Sequence, residues 1–139
     1  PAFPSPRTHF AAVTVGTSIY CVGGLWGIDA NSTELGDVYR FDTTTNTWSK
    51  RASMPVPTSH ITSSTVVANG RIWVLGGETK FGTHSKNVFA YDPTANTWAT
   101  STPLPAPRFS AVADDVAGRL YIVMGDQTSA TAWKGTFTS

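Results

Sequence analysis

The hydrophobic pattern of the chain favours short β-strands throughout. Apolar and β-branched residues form short runs, such as "AAVTV" from residue 11, "RIWVL" from residue 71 and "RLYIV" from residue 119. Other segments alternate between polar and apolar residues, as in "VYRFD" from residue 38 and "VFAYD" from residue 88. Since no segment combines a helical period with capping residues, the pattern predicts an all-β protein without helices.

These segments recur in a fixed order. The stretches "RTHFAAVTV", "TSHITSSTVVA" and "RFSAVADDV" begin at Arg7, Thr58 and Arg108, which lie 51 and 50 residues apart, and each follows a proline-containing link. Behind them come "SIYCVGG", "RIWVLGG" and "RLYIVMGD", and then, in the first two copies, "FDTTTNTW" and "YDPTANTW". Three segment types in one order indicate a true internal repeat of about 50 residues.

Each unit is predicted to form four antiparallel strands. Asn69-Gly70 marks a type I′ turn between the first two strands, and Pro93 suits the turn between the last two. One small sheet cannot cover both of its faces, but copies packed face to face around an axis can, which is the principle of a β-propeller. We expect Trp48 and Trp98 to fill the space between neighbouring blades. The glycines of the two doublets are expected where a neighbour approaches closely: Gly23, Gly24, Gly76 and Gly77.

The combination of these motifs resembles the kelch repeat. A hydrophobic strand ending in Gly-Gly, a variable loop and then aromatic-Asp-x-x-x-Asn-Thr-Trp occur in two complete copies, whereas the third has Met124-Gly125-Asp126 in place of the doublet. The resemblance covers essentially the whole chain and implies kelch-type propeller blades, in a ring that has about six or seven blades in this family. We place blade 1 at about 7–52, blade 2 at about 58–102 and a partial blade 3 at about 108–139, roughly two and two-thirds blades in all.

The ends of the sequence suggest an incomplete ring. The chain begins with a proline inside a link and stops after the third strand of a blade. We interpret it as the C-terminal half of a larger propeller; the alternative is a half-ring that pairs with a second copy. Either way the expected partners are the remaining blades, a second copy or a larger assembly, because open blade faces and an unpaired strand edge need cover.

Composition narrows the function classes. The net charge is +1 and 14% of residues are charged, which does not indicate a nucleic-acid partner. No apolar run is long enough to span a bilayer. The single cysteine, Cys21, excludes an intrachain disulfide and is expected to be a buried apolar residue. Asn31-Ser32-Thr33 fits the N-glycosylation pattern. The sequence does not determine the cellular compartment of the protein, although an extracellular or lumenal location is slightly favoured.

Alternating strand direction sorts the connections between two faces of the predicted arc. Tight turns lie on one face, and on the other lie the links and the long loops "LWGIDANSTEL" (residues 25–35) and "ETKFGTHSK" (residues 78–86). Variable loops on a rigid frame commonly carry binding residues. The candidate ligand contacts on that face are Arg7, His9, Trp26, His60, Lys80, Phe81, His84 and Arg108. For the arginines and for His9 and His60, a structural bond to a neighbouring blade is the alternative, and for Trp26 and Phe81 it is burial under their own loops.

These residues favour a binding scaffold for a protein or carbohydrate ligand. The alternative is part of a kelch-type enzyme, such as a copper-radical galactose oxidase or a sialic-acid epimerase, with catalytic residues in blades outside this sequence. The loop face offers no nucleophile-base pair, no paired carboxylates and no phosphate-binding glycine loop, and two histidines without a suitably spaced carboxylate fall short of a metal-ligand set. We therefore assign no catalytic residue, metal or cofactor from the sequence.

Overall fold

The computed structural model describes residues 1–137 and is built from antiparallel β-sheet. This confirms the predicted all-β class, and the arrangement is an open arc of propeller blades. Within the described range no α-helix occurs, and one 3₁₀ turn covers Asp29–Asn31. Thr138 and Ser139, the last residues of the predicted partial blade, lie outside the described residues.

The first blade is a four-stranded sheet in the order β1-β2-β5-β6. Its strands are β1 (Ala11–Val15), β2 (Ser18–Val22), β5 (Val38–Asp42) and β6 (Thr47–Arg51). The loop between β2 and β5 contains a small hairpin that the hydrophobic pattern did not predict, formed by β3 (Leu25–Trp26) and β4 (Thr33–Glu34).

The second blade repeats this plan, and the third contains three strands. Blade 2 consists of β7 (Thr65–Ala68), β8 (Arg71–Leu75), β11 (Val88–Asp92) and β12 (Thr97–Thr100), with a loop hairpin of β9 (Glu78–Lys80) and β10 (Thr83–His84). Blade 3 consists of β13 (Val112–Val116), β14 (Arg119–Val123) and β15 (Ala132–Thr136). Within the described part of the chain, β15 therefore pairs on one side alone.

The largest hydrophobic cluster lies between the first two blades. It joins Ala11, Tyr20, Val22 and Val38 of blade 1 to Ile72, Val74, Phe89 and Tyr91 of blade 2, with Met54 and Ile61 of the intervening segment. The first strands of the three blades, β1, β7 and β13, lie side by side at the inner edge of the arc. Blades thus bury their apolar faces against each other, as in a propeller.

The connections separate onto two faces as the strand directions require. Asn69 and Gly70 have φ angles of 49° and 71°, the positive values of the predicted type I′ turn. On the opposite side, the links pair with the long loops through the bridges Thr8–Leu25, Ser59–Glu78 and Ser85–Arg108. We call this side, with the links and the loops 25–35 and 78–86, the loop face.

The repeated octapeptide folds into a turn that ties one blade to the link before it. The Asp92 carboxylate accepts the N–H groups of Thr94 and Ala95 at 2.9 and 3.0 Å, and Asn96 has a φ of 56°. The Trp98 indole N–H then donates to the carbonyl of Ala52 at 2.9 Å. In blade 1, Trp48 donates to the carbonyl of Pro1 at 3.3 Å, the equivalent position one repeat earlier.

The glycine doublets allow the next link to approach. A Cβ added at Gly23 would lie 2.4 Å from the Thr58 carbonyl oxygen, and one added at Gly76 would lie 2.5 Å from the Arg108 carbonyl oxygen. Both glycines also have positive φ angles, of 60° and 69°. The first glycine of each doublet is therefore required by contact with the following blade as well as by its backbone conformation.

Candidate functional site

The inner edge of the loop face carries a row of repeat-equivalent residues. His9, His60 and Ser110 precede the first strands of blades 1, 2 and 3, and all have left-handed backbones, with φ angles of 54°, 55° and 49°. The N–H of His60 donates to the carbonyl of His9 at 3.0 Å, and the N–H of Ser110 to that of His60 at 2.9 Å. This backbone ladder fixes the His9 and His60 rings 4.3 Å apart between centroids.

The third histidine completes a cluster around a buried carboxylate. His84 lies on the β10 strand of the blade 2 loop and stacks on Phe109 at 3.7 Å with an interplanar angle of 13°. The Glu78 Oε2 atom lies 3.7 Å from His84 Nε2 and 4.0 Å from His60 Nδ1. The Glu78 side chain is 7% exposed, and its Oε1 accepts the Gly82 N–H at 2.9 Å. We call His9, His60, His84, Glu78, Glu34 and Phe109 the histidine-glutamate cluster.

The surroundings of His60 favour its uncharged form near pH 7. Burial lowers the pKa of His60 below its ordinary value, and the Glu78 carboxylate opposes this effect without cancelling it. His60 Nδ1 lies 2.9 Å from the Ser59 hydroxyl, which in turn lies 3.4 Å from the Glu78 carbonyl oxygen that it can donate to. If the Ser59 hydroxyl donates to the Glu78 carbonyl, it accepts from a proton on His60 Nδ1, and His60 Nε2 is then the acceptor nitrogen.

Both candidate arginines are buried inside their blades. The Arg7 side chain is 0% exposed and donates to the carbonyl oxygens of Gly23 and Asp37 at 3.0 and 3.3 Å. The Arg108 guanidinium donates to the Thr131 hydroxyl at 2.7 Å and stacks on Trp133 at 4.0 Å. These contacts are structural, but they lie within each arginine's own blade rather than reaching a neighbouring blade. Neither arginine is carried into the proposed binding surface.

The remaining candidates of the long loops are open to solvent. Trp26 and Phe81 are 62% and 53% exposed, and Lys80 is also exposed. Asn31 of the glycosylation pattern is exposed at the end of the 3₁₀ turn. Cys21 is buried, and this burial raises the pKa of its thiol, with Arg7 acting in the opposite direction. Trp26 and Phe81 thus present large apolar side chains on the loop face.

The sequence analysis missed three members of the cluster: Glu34, Glu78 and Phe109. Glu34 and Glu78 are the two glutamates of the chain, and each lies in one of the two long loops. Their position in these loops could have identified them as candidate binding residues. Repeat alignment concealed Glu78, because Leu25 occupies the equivalent position in blade 1. Among residues 1–137, no group of three or more His, Cys, Asp and Glu side chains is arranged as a metal site.

Comparison with known proteins agrees with the architecture. Residues 2–129 match the family described as the KLHDC2/KLHL20/DRC7 Kelch-repeats domain. The chain belongs to the kelch-repeat family. A solved structure of YjhT has the same fold, with a TM-score of 0.77 at 19% identity over 88% of this chain and 46% of that one. The predicted kelch resemblance is thereby confirmed.

The curated relatives include two proteins named for kelch repeats and one named as an enzyme. An F-box/kelch-repeat protein of Arabidopsis thaliana is 32% identical over 90% of this kelch chain and 33% of its own length. The Kelch-like protein terF of Aspergillus terreus is 35% identical over 52% of this chain and 16% of its own. An N-(sulfonatooxy)prop-2-enimidothioate sulfolyase of Thlaspi arvense is 34% identical over 55% of this chain and 22% of its own. The chain spans a third or less of the length of these relatives.

In the described part of the chain, no helix is long and apolar enough to cross a membrane.

Proposed function

We propose that this chain is part of a kelch-repeat interaction protein whose loop face binds a protein partner. The observation that carries the proposal is the contrast between the two faces. The loop face presents Trp26 and Phe81 at 62% and 53% exposure beside the histidine-glutamate cluster. The opposite face has short turns such as Asn69-Gly70. Aromatic side chains with few rotatable bonds supply much of the binding energy at protein interfaces.

Site-directed photo-crosslinking tests this proposal. A benzophenone amino acid is placed at Phe81 in one variant and at Asn69, on the turn face, in a matched variant. We expect discrete crosslinks to a protein from position 81 and none above background from position 69, when the full-length protein is irradiated in extract of its own source cells. Equal crosslinking from both faces would contradict the assignment of the loop face.

The crosslinked partner must then depend on loop-face chemistry. Trp26→Ser should weaken its binding by about tenfold, the usual effect of removing an interface aromatic. Asn69→Ala should leave the affinity unchanged. If Trp26→Ser abolishes binding to an oligosaccharide on a glycan array and protein binding is absent, the ligand is a carbohydrate and the proposal of a protein partner fails.

An enzymatic function is the second candidate because one curated relative is named as a sulfolyase. In that case the loop face would form part of an active site, with further catalytic residues outside this sequence. The natural full-length protein should then show activity that is lost in Glu78→Gln or His60→Asn. A galactose-oxidase-like site would in addition bind copper and carry a covalent cysteine-tyrosine link detectable by mass spectrometry.

A further inference from the structure

All three histidines and both glutamates of the chain lie in the histidine-glutamate cluster. His9, His60 and His84 are the three histidines of the sequence, and Glu34 and Glu78 are its two glutamates. Glu34 lies on β4, which packs against the β9 strand that carries Glu78. Its charge acts on His60 together with that of Glu78. The cluster therefore combines two carboxylates with three imidazoles at the inner edge of the loop face.

The carboxylates of the cluster lack a cationic partner. Glu78 Oε2 faces the two imidazoles beyond hydrogen-bond distance, at 3.7 and 4.0 Å. Glu34 Oε1 is buried and receives no hydrogen bond from the described residues. Among residues 1–137, neither glutamate lies within 4.0 Å of a lysine or arginine nitrogen. Glu78 Oε1 accepts the Gly82 N–H, but Glu78 Oε2 and Glu34 Oε1 have no hydrogen-bond donor among the described residues. Buried carboxylate oxygens without donors are costly, so these two atoms favour a cation with several N–H groups.

The surroundings of the carboxylates are flat rings. The His9 and His60 rings lie 4.3 Å apart, and His84 lies on Phe109 at 3.7 Å. Neutral His60 adds its Nε2 atom as an acceptor in the tautomer that carries the proton on Nδ1, next to Ser59. A planar guanidinium both stacks on rings of this kind and donates several hydrogen bonds in its own plane. An ammonium group would use the carboxylates but not the stacking surfaces.

We propose that the histidine-glutamate cluster binds an arginine side chain of the partner, with Glu78 as its anchor, and that protonation of His60 in mild acid weakens this binding. The inference rests on the proposed loop-face function and specifies the chemistry of the partner. At neutral pH the cluster is negative and rich in acceptors. When His60 gains a proton, the cluster loses negative charge and an acceptor nitrogen, and the added positive charge opposes a guanidinium.

Charged groups face the histidines from several elements of the loop face. Glu78 and Glu34 face His60 from β9 and β4, and His9 faces it from the link of blade 1. His84 is approached from blade 3 by Asp126, whose carboxylate is also 3.4 Å from Arg108. Burial of His60 places its protonation below the ordinary range of histidine. Weaker binding is therefore expected only when the pH falls below about 6.5, the ordinary pKa of histidine.

Ligand-observed NMR with small probes tests the inference directly. Nα-acetyl-arginine amide is the probe, and Nα-acetyl-citrulline amide is its neutral counterpart of the same shape. Saturation transfer from the full chain should reach the arginine probe at about pH 7.5 and decline strongly at about pH 5. The citrulline probe should give a signal near background at both pH values. Nα-acetyl-lysine amide should bind more weakly than the arginine probe.

Two variants separate the anchor from general surface charge. Glu78→Gln keeps an oxygen for the Gly82 N–H but removes the charge, and it should weaken arginine binding by about tenfold. Asp29→Asn removes one charge from an exposed position of the same face and should bind as the parent does. Equal binding of arginine and citrulline by the parent, or unchanged binding in Glu78→Gln, would overturn the inference.

The two experiments distinguish failure of the arginine site from failure of the proposed loop-face function. If photo-crosslinking finds a protein partner on the loop face and the arginine probe does not bind, the loop face stands and the arginine site is wrong. If crosslinks arise from the turn face instead, the proposed function is wrong, and the arginine probe then tests the cluster independently of it.

Discussion

At the scale of single residues, several of the positive φ angles lie where two blades meet. His9, His60 and Ser110 adopt positive φ angles where the ladder between first strands requires them. Gly76 does so where the Arg108 carbonyl passes. Met124 occupies the equivalent position in blade 3, with a φ of 61°. A link approaching blade 3 as Thr58 approaches blade 1 would therefore meet a side chain.

Replacement of Gly76 by alanine tests this interpretation. Gly70 has a similar φ, of 71°, but no neighbour near the added Cβ, so Gly70→Ala should cost about 1–2 kcal/mol for the backbone strain alone. Gly76→Ala adds a clash with the Arg108 carbonyl and should cost clearly more. Urea unfolding of the two variants gives the comparison. Equal losses of stability would mean that the close approach is unimportant.

His60 should make the stability of the chain depend on pH. Burial lowers its pKa in the folded state, so the unfolded chain takes up a proton first as the pH falls. The contribution of neutral His60 is present above about pH 6.5, the unfolded value, and is lost as the pH falls through the lower folded value. His60→Asn, which tolerates the positive φ, should flatten this dependence in urea titrations at a series of pH values. A slope as steep as that of the parent would contradict the prediction.

At the scale of elements, the outer strands of blades 1 and 2 each carry one tryptophan that bonds to a link. Trp98 contacts Tyr91 and Phe89 on the neighbouring strand, with ring centroids 5.1 and 6.5 Å away. Its indole N–H ends on Ala52, whose own N–H donates to Asn96 Oδ1 at 2.9 Å. The peptide of Ala52 is thereby held at both its N–H and its carbonyl. The outer strand of blade 2 thus also positions the link that leads in from blade 1.

Substitution of Trp98 separates its packing from its hydrogen bond. Trp98→Phe keeps a ring but loses the N–H donor and should cost about 1 kcal/mol. Trp98→Ala loses both and should cost about 3 kcal/mol, near the low end for a core aromatic because the side chain is half-buried. Denaturant unfolding measures both values. A loss below about 1 kcal/mol in Trp98→Ala would show that the indole does not tie the blades together.

At the scale of the whole molecule, blade 3 of the described arc exposes apolar side chains to solvent. The exposed large apolar residues there are Val112, Val116, Val123 and Met124. Between blades 2 and 3 lies a groove of about 800 Å³, lined by Trp73, Leu120, Trp133 and the link residue Thr102. Thr102 is equivalent to Ala52, the residue that receives the indole of Trp98. The groove therefore lies where an outer strand with a tryptophan would place its indole.

The isolated 139-residue chain should associate rather than remain a monomer. An open edge at β15 and an apolar groove both favour pairing with another strand. Sedimentation at micromolar concentration should show species heavier than 14.8 kDa. A peptide of residues 94–101, which carries the outer strand of blade 2, should reduce this association, and the same peptide with alanine for Trp98 should not. A monodisperse monomer of 14.8 kDa that unfolds cooperatively would contradict the prediction.

The sequence by itself determined the repeat, the strand pattern and the division into two faces. These properties depend on residues close in sequence: Asn69-Gly70 specifies its turn and Asp92 caps its own turn, so a linear pattern shows them. The burial of Arg7 and the grouping of Glu34 and Glu78 with the histidines were decided by tertiary structure. Their partners come from different blades and from loops whose hairpins have no hydrophobic period. The direction of a side chain in such a loop depends on packing against residues far away in the sequence. The spacing of residues along the chain therefore does not predict it.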